Sequence, residues 1–225
     1  LGIEPDVAVI GEPTWLALAQ SLRGYALVEV TLEGRAAHSS QPEQGVNAGA
    51  HLGRLLAAVE SRGSLVAERG GSLMVTVASG GESPFVLARH ATAIVERRTV
   101  PGERSEAALA EVEHLLVHLR LQDDTVSARA RLVVARDPWQ LDDSGPAAAL
   151  AADLSRALGD DAASEPFHAP DWMEAPLWQA AGIPTVVCGP AGGGLHAADE
   201  WVDLHQVRRY TLALIEAATT WGASA

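Results

Sequence analysis

Between Tyr25 and Val134 the hydrophobic period switches in a single order, and no other feature of the chain constrains its fold as strongly. Tyr25 to Leu32 alternate, with Val28, Val30 and Leu32 on one face and Tyr25, Leu27, Glu29 and Thr31 on the other, the mark of a half-exposed strand that Gly34 ends. From Gly45 to about Ser61, Leu52, Leu55, Leu56 and Val59 recur at three and four residues and form a helical stripe. Leu73, Val75 and Val77 alternate as a second strand before Gly80-Gly81. Ala91 to Val95 read as a third, ending at Arg97-Arg98-Thr99-Val100-Pro101-Gly102, where Pro and Gly punctuate a turn. Ser105 to about Leu121 is a second helix with Leu109, Val112, Leu116 and Leu119 on one face, and Val126, Ala128, Ala130, Leu132 and Val134 alternate as a fourth strand. The order β-α-β-β-α-β predicts a ferredoxin-like sandwich.

The flanks have a different texture. Val7-Ala8-Val9-Ile10, closed at once by Gly11-Glu12-Pro13-Thr14, reads as a buried parallel strand that stops abruptly. Downstream, Ser144-Gly145-Pro146 opens an Ala-rich helix to about Leu158, with Ser144 as its N-cap. Asp171 to Ala181 is a further predicted helix, Ile183 to Cys188 a short apolar strand closed by Gly189-Pro190, Gly192 to Glu200 a flexible loop, and Leu204 to about Trp221 a last helix. The predicted fold class is α/β: a discontinuous α/β catalytic domain at residues 1–19 and 137–225, with the sandwich, residues 20–136, inserted as a lid and dimerisation domain. A strand as apolar as Val7–Ile10 needs neighbours on both sides, and the chain opens with Leu1 rather than Met, so an upstream portion is expected to supply them.

Composition narrows the partners. A net charge of −13 over 225 residues argues against nucleic acid and gives no membrane-binding patch. No apolar run approaches the roughly 20 residues that cross a bilayer, and no signal-peptide pattern is present, so the expected location is cytoplasmic. Cys188 is the sole cysteine, which excludes an intrachain disulfide, and every basic side chain is Arg, which excludes Schiff-base lysine chemistry.

Glu12 lies just past a strand's C-terminal end, where open α/β sheets bind ligands; capping a turn, or a helix beginning near Thr14, is an equal alternative. His196 follows three glycines in a loop with Asp199 and Glu200 close by, and suits either a metal ligand or a surface residue. His38 follows a strand and precedes a helix, as a general acid or a turn residue. His114 and His118 have ligand spacing, but Leu115 stands where a zinc protease needs Glu, which favours a solvated helix face. There is no Gly-x-Ser-x-Gly elbow, and Cys188 falls in a predicted buried strand, so nucleophilic catalysis has no clear candidate.

Taken together, Gly11-Glu12-Pro13-Thr14, Arg23-Gly24, Gly34-Arg35-Ala36-Ala37-His38-Ser39-Ser40, Gly45-Val46-Asn47-Ala48, Arg97 to Glu103, Gly182-Ile183-Pro184, Gly189-Pro190 and Leu195 to Glu200 resemble, in order and approximate spacing, the acetylornithine deacetylase / succinyl-diaminopimelate desuccinylase family, which also holds aminoacylases and glutamate carboxypeptidases. The resemblance covers essentially the whole chain. It implies an amidohydrolase of N-acyl amino acids or small peptides with two zinc ions per site, Co or Mn being possible replacements. Glu12 matches a ligand of one metal and His196 a ligand of the other. His38 matches a lid histidine that reaches the partner subunit's site and steadies the oxyanion, while Arg98 and Asn47 match positions that engage the substrate carboxylate. It also implies a homodimer formed through the lid.

The departures matter as much. The family's His-x-Asp ligand motif, bridging aspartate and Glu-Glu pair do not occur in the 225 residues, Ser83-Pro84-Phe85-Val86 replaces an Asn-rich stretch, and Ala169-Pro170 precedes Asp171 where a Thr-Asp pair is usual. Asp199 and Glu200 are expected to orient the His196 ring rather than replace missing ligands. The expectation is an enzyme represented by an inactive fragment. The alternative is a non-catalytic dimerisation or ligand-binding module.

Overall fold

The structure, a computed structural model, describes residues 5–159 and 165–224; Leu1 to Glu4, with which the expected segment 1–19 opens, lie outside the described residues. Two compact units divide the chain, residues 23–138 and residues 1–22 with 139–225. In chain order, β1 (Ala8–Ile10) and β2 (Ala19–Leu22) precede the first of these units. It consists of β3 (Gly24–Glu33), α1 (Ala48–Ala67), β4 (Ser72–Gly80), β5 (His90–Thr99), α2 (Ala107–Gln122) and β6 (Ser127–Arg136). After it come β7 (Trp139–Gln140), α3 (Pro146–Leu158), β8 (Phe167–Ala169), α4 (Ala175–Ala180), β9 (Thr185–Val187), β10 (Gly192–Gly193), β11 (Trp201–Val202) and α5 (Leu204–Ser224).

Residues 23–138 form an antiparallel sheet of order β4-β5-β3-β6, the ferredoxin-like arrangement. Period two on β3 sends Ala26, Val28, Val30 and Leu32 into a core shared with Leu52, Leu55 and Val59 of α1 and Val112 and Leu116 of α2. The two outer strands each break the alternation. Val75 pairs with Val95 but Val77 with Ile94, so Thr76 is an extra residue; likewise Leu132 pairs with Val28 and Val134 with Leu27, leaving Val133 over. Each bulge turns its strand, so that Val77 and Val134 leave the core face on which the simple alternation places them, and Val77 ends 56% exposed. Bulges on edge strands also twist the open backbone away from stray pairing.

α1 starts at Ala48 rather than Gly45, because Asn47 caps it: its Oδ1 accepts the Gly49 N–H at 3.0 Å. It outruns the expected end near Ser61 and brings Val66 into the core. β5 likewise continues through Arg97 and Arg98 instead of turning there. A buried cation is tolerated at Arg97 because Glu103 (2.9 Å) and Glu111 (3.0 Å) both meet its guanidinium.

In the other unit β1 and β9 run parallel, with Ala8 opposite Thr185 and Ile10 opposite Val187. The core beside them is built from Leu150, Leu154 and Leu158 of α3, Val186, Cys188, and Tyr210 and Ala213 of α5. Among the described residues β9 is the one strand paired with β1, so Ala8–Ile10 are half-buried rather than buried as predicted. A second sheet, β7-β2-β8, packs Leu22, Trp139 and Ala169. Its strands of two to four residues are too short to show a period, and the sequence reading missed them. Helix α3 is not capped by Ser144: the cap position is Gly145 at φ +84°, with no side-chain bond. Of the predicted Asp171–Ala181 helix Ala175–Ala180 forms, and the loop at Gly192–Glu200 is framed by the β10–β11 pair. No helix among the described residues is long and apolar enough to cross a membrane.

Candidate functional site

Glu12 and His196 both follow the C-terminal ends of the parallel pair. Glu12 stands two residues past β1, and the chain beyond β9 runs through Gly189-Pro190 into β10 and on to His196. The two strand ends touch backbone to backbone: a Cβ on Gly189 would lie 2.3 Å from the Glu12 carbonyl oxygen and 2.6 Å from that of Gly11, so the position excludes every larger residue. Buried Thr14 joins them, its hydroxyl donating to the Ala17 carbonyl (2.7 Å) and accepting the Gly189 N–H (2.9 Å). The Leu16 N–H closes the junction on the Gly189 carbonyl at 2.8 Å. No helix begins at Thr14. Instead Trp15 (φ 54°) and Leu16 (φ 63°) take consecutive left-handed conformations that bulky residues rarely adopt. A Cβ on Gly192 would sit 3.4 Å from the Pro13 ring, which sets the root of the His196 loop beside the Glu12 turn.

The His196 loop is a tight one. His196 has φ 63°, and the Ala197 N–H bonds to the Gly194 carbonyl at 2.8 Å. Left-handed histidine and left-handed Trp15-Leu16 store strain at neighbouring strand ends, a pattern that gathers at functional sites. The Glu12 carboxylate is half-buried and the His196 ring exposed, and neither has a hydrogen bond or ion pair among the described residues. Asp199 and Glu200 do not hydrogen-bond to the ring either, contrary to the orienting role expected of them, and Asp171 is exposed. Gln206 was missed: its Oε1 accepts the Ala191 N–H at 2.7 Å and ties the glycine stretch to α5, whose start Asp203 caps through the His205 (2.7 Å) and Gln206 (3.1 Å) N–H groups. The Asp203-x-x-Gln206 spacing of a capping box was the available signal. Beneath the junction burial pushes the Cys188 thiol up to about 12 and raises the Tyr210 phenol further, so both stay neutral at physiological pH.

His38, Asn47 and Arg98 belong to residues 23–138. His38 opposes Val86 in a short antiparallel bridge, held by the Ser39 N–H on the Phe85 carbonyl and the Leu87 N–H on the Ala37 carbonyl, both 2.9 Å. The Ser40 N–H can only donate, so Nδ1 of His38, 3.2 Å away, accepts, which leaves Nε2 to carry the ring N–H. Asn47 uses its Oδ1 in capping α1. Arg98 lies across the Tyr25 ring (5.4 Å) and bonds through Nε to Glu96 at 2.6 Å. Register separates these groups: Arg98 pairs with Tyr25 at one end of the β3–β5 ladder, and the Asn47 turn packs on Gly34 and Ala88 at the other, about 30 Å away at about 3.3 Å per residue. One small ligand therefore does not touch both within a single chain.

Comparison with known proteins takes up the same two-part layout. Residues 20–124 match the peptidase dimerisation domain of the M20 type. That stretch is similar to this dimerisation domain. An acetylornithine deacetylase from Myxococcus xanthus is 26% identical over 220 residues, 93% of this chain and 56% of that protein. Among solved structures, a tripeptidase from Staphylococcus aureus superposes with a TM-score of 0.75 at 16% identity, covering 96% of this chain and 57% of its own. Aminopeptidase PepT from Bacillus cereus gives 0.78 at 17%, with 96% and 58% covered. The chain thus spans a little over half the length of these relatives, and it shares the fold of the matched part of the two solved structures.

Proposed function

We propose that the chain is the lid and C-terminal catalytic portion of a metal-dependent amidohydrolase that cleaves the amide bond of N-acyl amino acids or small peptides, working as a homodimer through its M20 dimerisation domain. The supporting observation is the placement of Glu12 two residues past β1 and of His196 in the loop beyond β10, whose root lies beside the Glu12 turn, one carboxylate and one imidazole without hydrogen-bond or ion-pair partners among the described residues. That donor set suits Zn²⁺, with Co²⁺ or Mn²⁺ as substitutes. Among the described residues no group of three or more His, Cys, Asp or Glu side chains converges, so Glu12 and His196 are a partial set and further ligands come from outside them. When bound, zinc supplies Lewis acidity towards the scissile carbonyl and acidifies a water.

The protein's own groups have separate tasks. His38 donates its Nε2–H to the oxyanion developing in the partner subunit's site. Arg98, with its terminal amino groups outside the bond to Glu96, grips the substrate carboxylate, and Asn47 fixes the turn at the other end of the lid. The test is a Co²⁺ titration of the protein expressed from its natural gene, read by absorption and by stoichiometry. Glu12→Ala and His196→Ala should each remove a cobalt signal; retention of full binding by both variants would refute the assignment. The absence of a converging group of three or more such side chains among the described residues favours a second reading for the 225 residues alone, a non-catalytic dimerisation or ligand-binding module.

A further inference from the structure

A cavity of about 750 Å³ opens between α1 and α2 on the helical side of the sandwich, and none of the residues assigned above to substrate or metal lines it. One stripe faces it: Arg62, Leu65 and Val66 of α1 and Arg69 in the turn just past the helix end, a cation, two apolar residues and a cation. Arg69 lies two residues past the end of α1, where Glu68 keeps a helical backbone and the Arg69 N–H bonds to the Val66 carbonyl at 3.0 Å, so the two arginines stand about 10 Å apart along the axis at about 1.5 Å per residue. Both keep donors open. Arg62 bonds to Glu111 through Nε at 2.6 Å and leaves its terminal amino groups unused, and the Arg69 side chain has no hydrogen bond or ion pair among the described residues. Of the other two arginines at the cavity, Arg97 is committed to Glu103 and Glu111, and Arg104 pairs through Nε with Asp137 at 3.2 Å and stands 4.0 Å from Glu106. Across the gap Ala107, Ala108 and Ala110 of α2 leave room beside Leu65 and Val66. Two open guanidiniums at the ends of an apolar strip, in a chain of net charge −13, make a local field opposite in sign to the whole.

We propose that this cavity binds a small elongated organic dianion, with one carboxylate on Arg62, the other on Arg69, and an apolar spacer over Leu65 and Val66. Planar guanidinium takes carboxylate bidentately, and the spacing of the two sets the length of ligand that satisfies both. Inorganic phosphate or a short dicarboxylate reaches one arginine; a monocarboxylate of the right length leaves the other arginine open.

The experiment titrates suberate into the 225-residue protein at low ionic strength by calorimetry and by amide NMR spectra, with succinate, octanoate and inorganic phosphate as comparisons. One suberate binds per chain, shifts concentrate in the C-terminal half of α1 and the N-terminal half of α2, and each comparison anion binds at least about tenfold more weakly. Arg69→Glu removes no existing bond, so it keeps the melting temperature and lowers suberate affinity about tenfold or more. The proposal is overturned if suberate binding does not saturate, if Arg69→Glu binds it unchanged, or if succinate or phosphate binds as tightly.

Discussion

Thr14 and Gly189, 175 residues apart in sequence, are locked by a 2.9 Å bond from the Gly189 N–H to the Thr14 hydroxyl. This buried junction carries the turn that presents Glu12. Thr14→Val keeps the shape but leaves the Gly189 N–H buried and unpaired, at a cost of about 1–3 kcal/mol in urea unfolding. Thr14→Ser should recover most of that loss, and equal stability of the Val and Ser variants would show that the hydroxyl is not what holds the junction.

Two glycines separate close approach from mere flexibility. Gly189→Ala drives a Cβ to within 2.3 Å of backbone and should destabilise by more than about 2 kcal/mol, since the atom it meets is part of the chain. On α1, Gly53 has nothing within 4 Å of the same position, and Gly53→Ala should stabilise by about 0.5–1 kcal/mol through helix propensity. Denaturant midpoints of the two variants should therefore move in opposite directions.

The contrast between these sites tracks what a linear sequence can reveal. Period-two and helical runs fixed the class and the strand order around Val28, Val30 and Leu32, because burial of one face repeats over many residues. The bulges at Thr76 and Val133 left no mark, since an inserted residue in an apolar strand looks like any other. Arg97 and Arg98 looked like the start of a turn because the acids that pair Arg97 lie on the following turn and helix. At the candidate site, apolar runs closed by Gly and Pro located both strand ends; the capping-box spacing marks Gln206 but not its bond to Ala191, and Thr14 acts through a long-range bond that no local spacing encodes.

Stability should also fall in alkali. Burial raises the Cys188 thiol from 9.0 to about 12, so the folded state holds its proton where the unfolded chain has lost it. The stabilisation is complete below about pH 9 and is lost as pH climbs towards 12, with Tyr210, also raised by burial, adding to the slope. The Tyr210 hydroxyl is buried without a hydrogen-bond partner among the described residues, so Tyr210→Phe should leave neutral-pH stability unchanged or raise it by about 1 kcal/mol, and should flatten the alkaline slope. A steep slope surviving in a Tyr210→Phe, Cys188→Ala double variant would assign the alkaline loss to other groups.

The 225-residue chain by itself should hydrolyse neither acetylornithine nor other N-acyl amino acids when supplied with Zn²⁺ or Co²⁺. Glu12 and His196 are two donors, and no third His, Cys, Asp or Glu side chain among the described residues converges with others into a metal-holding group. Asp199, Glu200 and Asp171 are exposed and make no bond to the His196 ring. Losing a single outer partner of a metal ligand already lowers affinity or activity roughly 10–100-fold, so a site lacking most direct ligands falls below detection. Measuring release of acetate from acetylornithine over hours, with Glu12→Ala as the control, decides the matter: turnover that disappears in the variant would mean that these residues suffice for the chemistry and that the partial-set account is wrong.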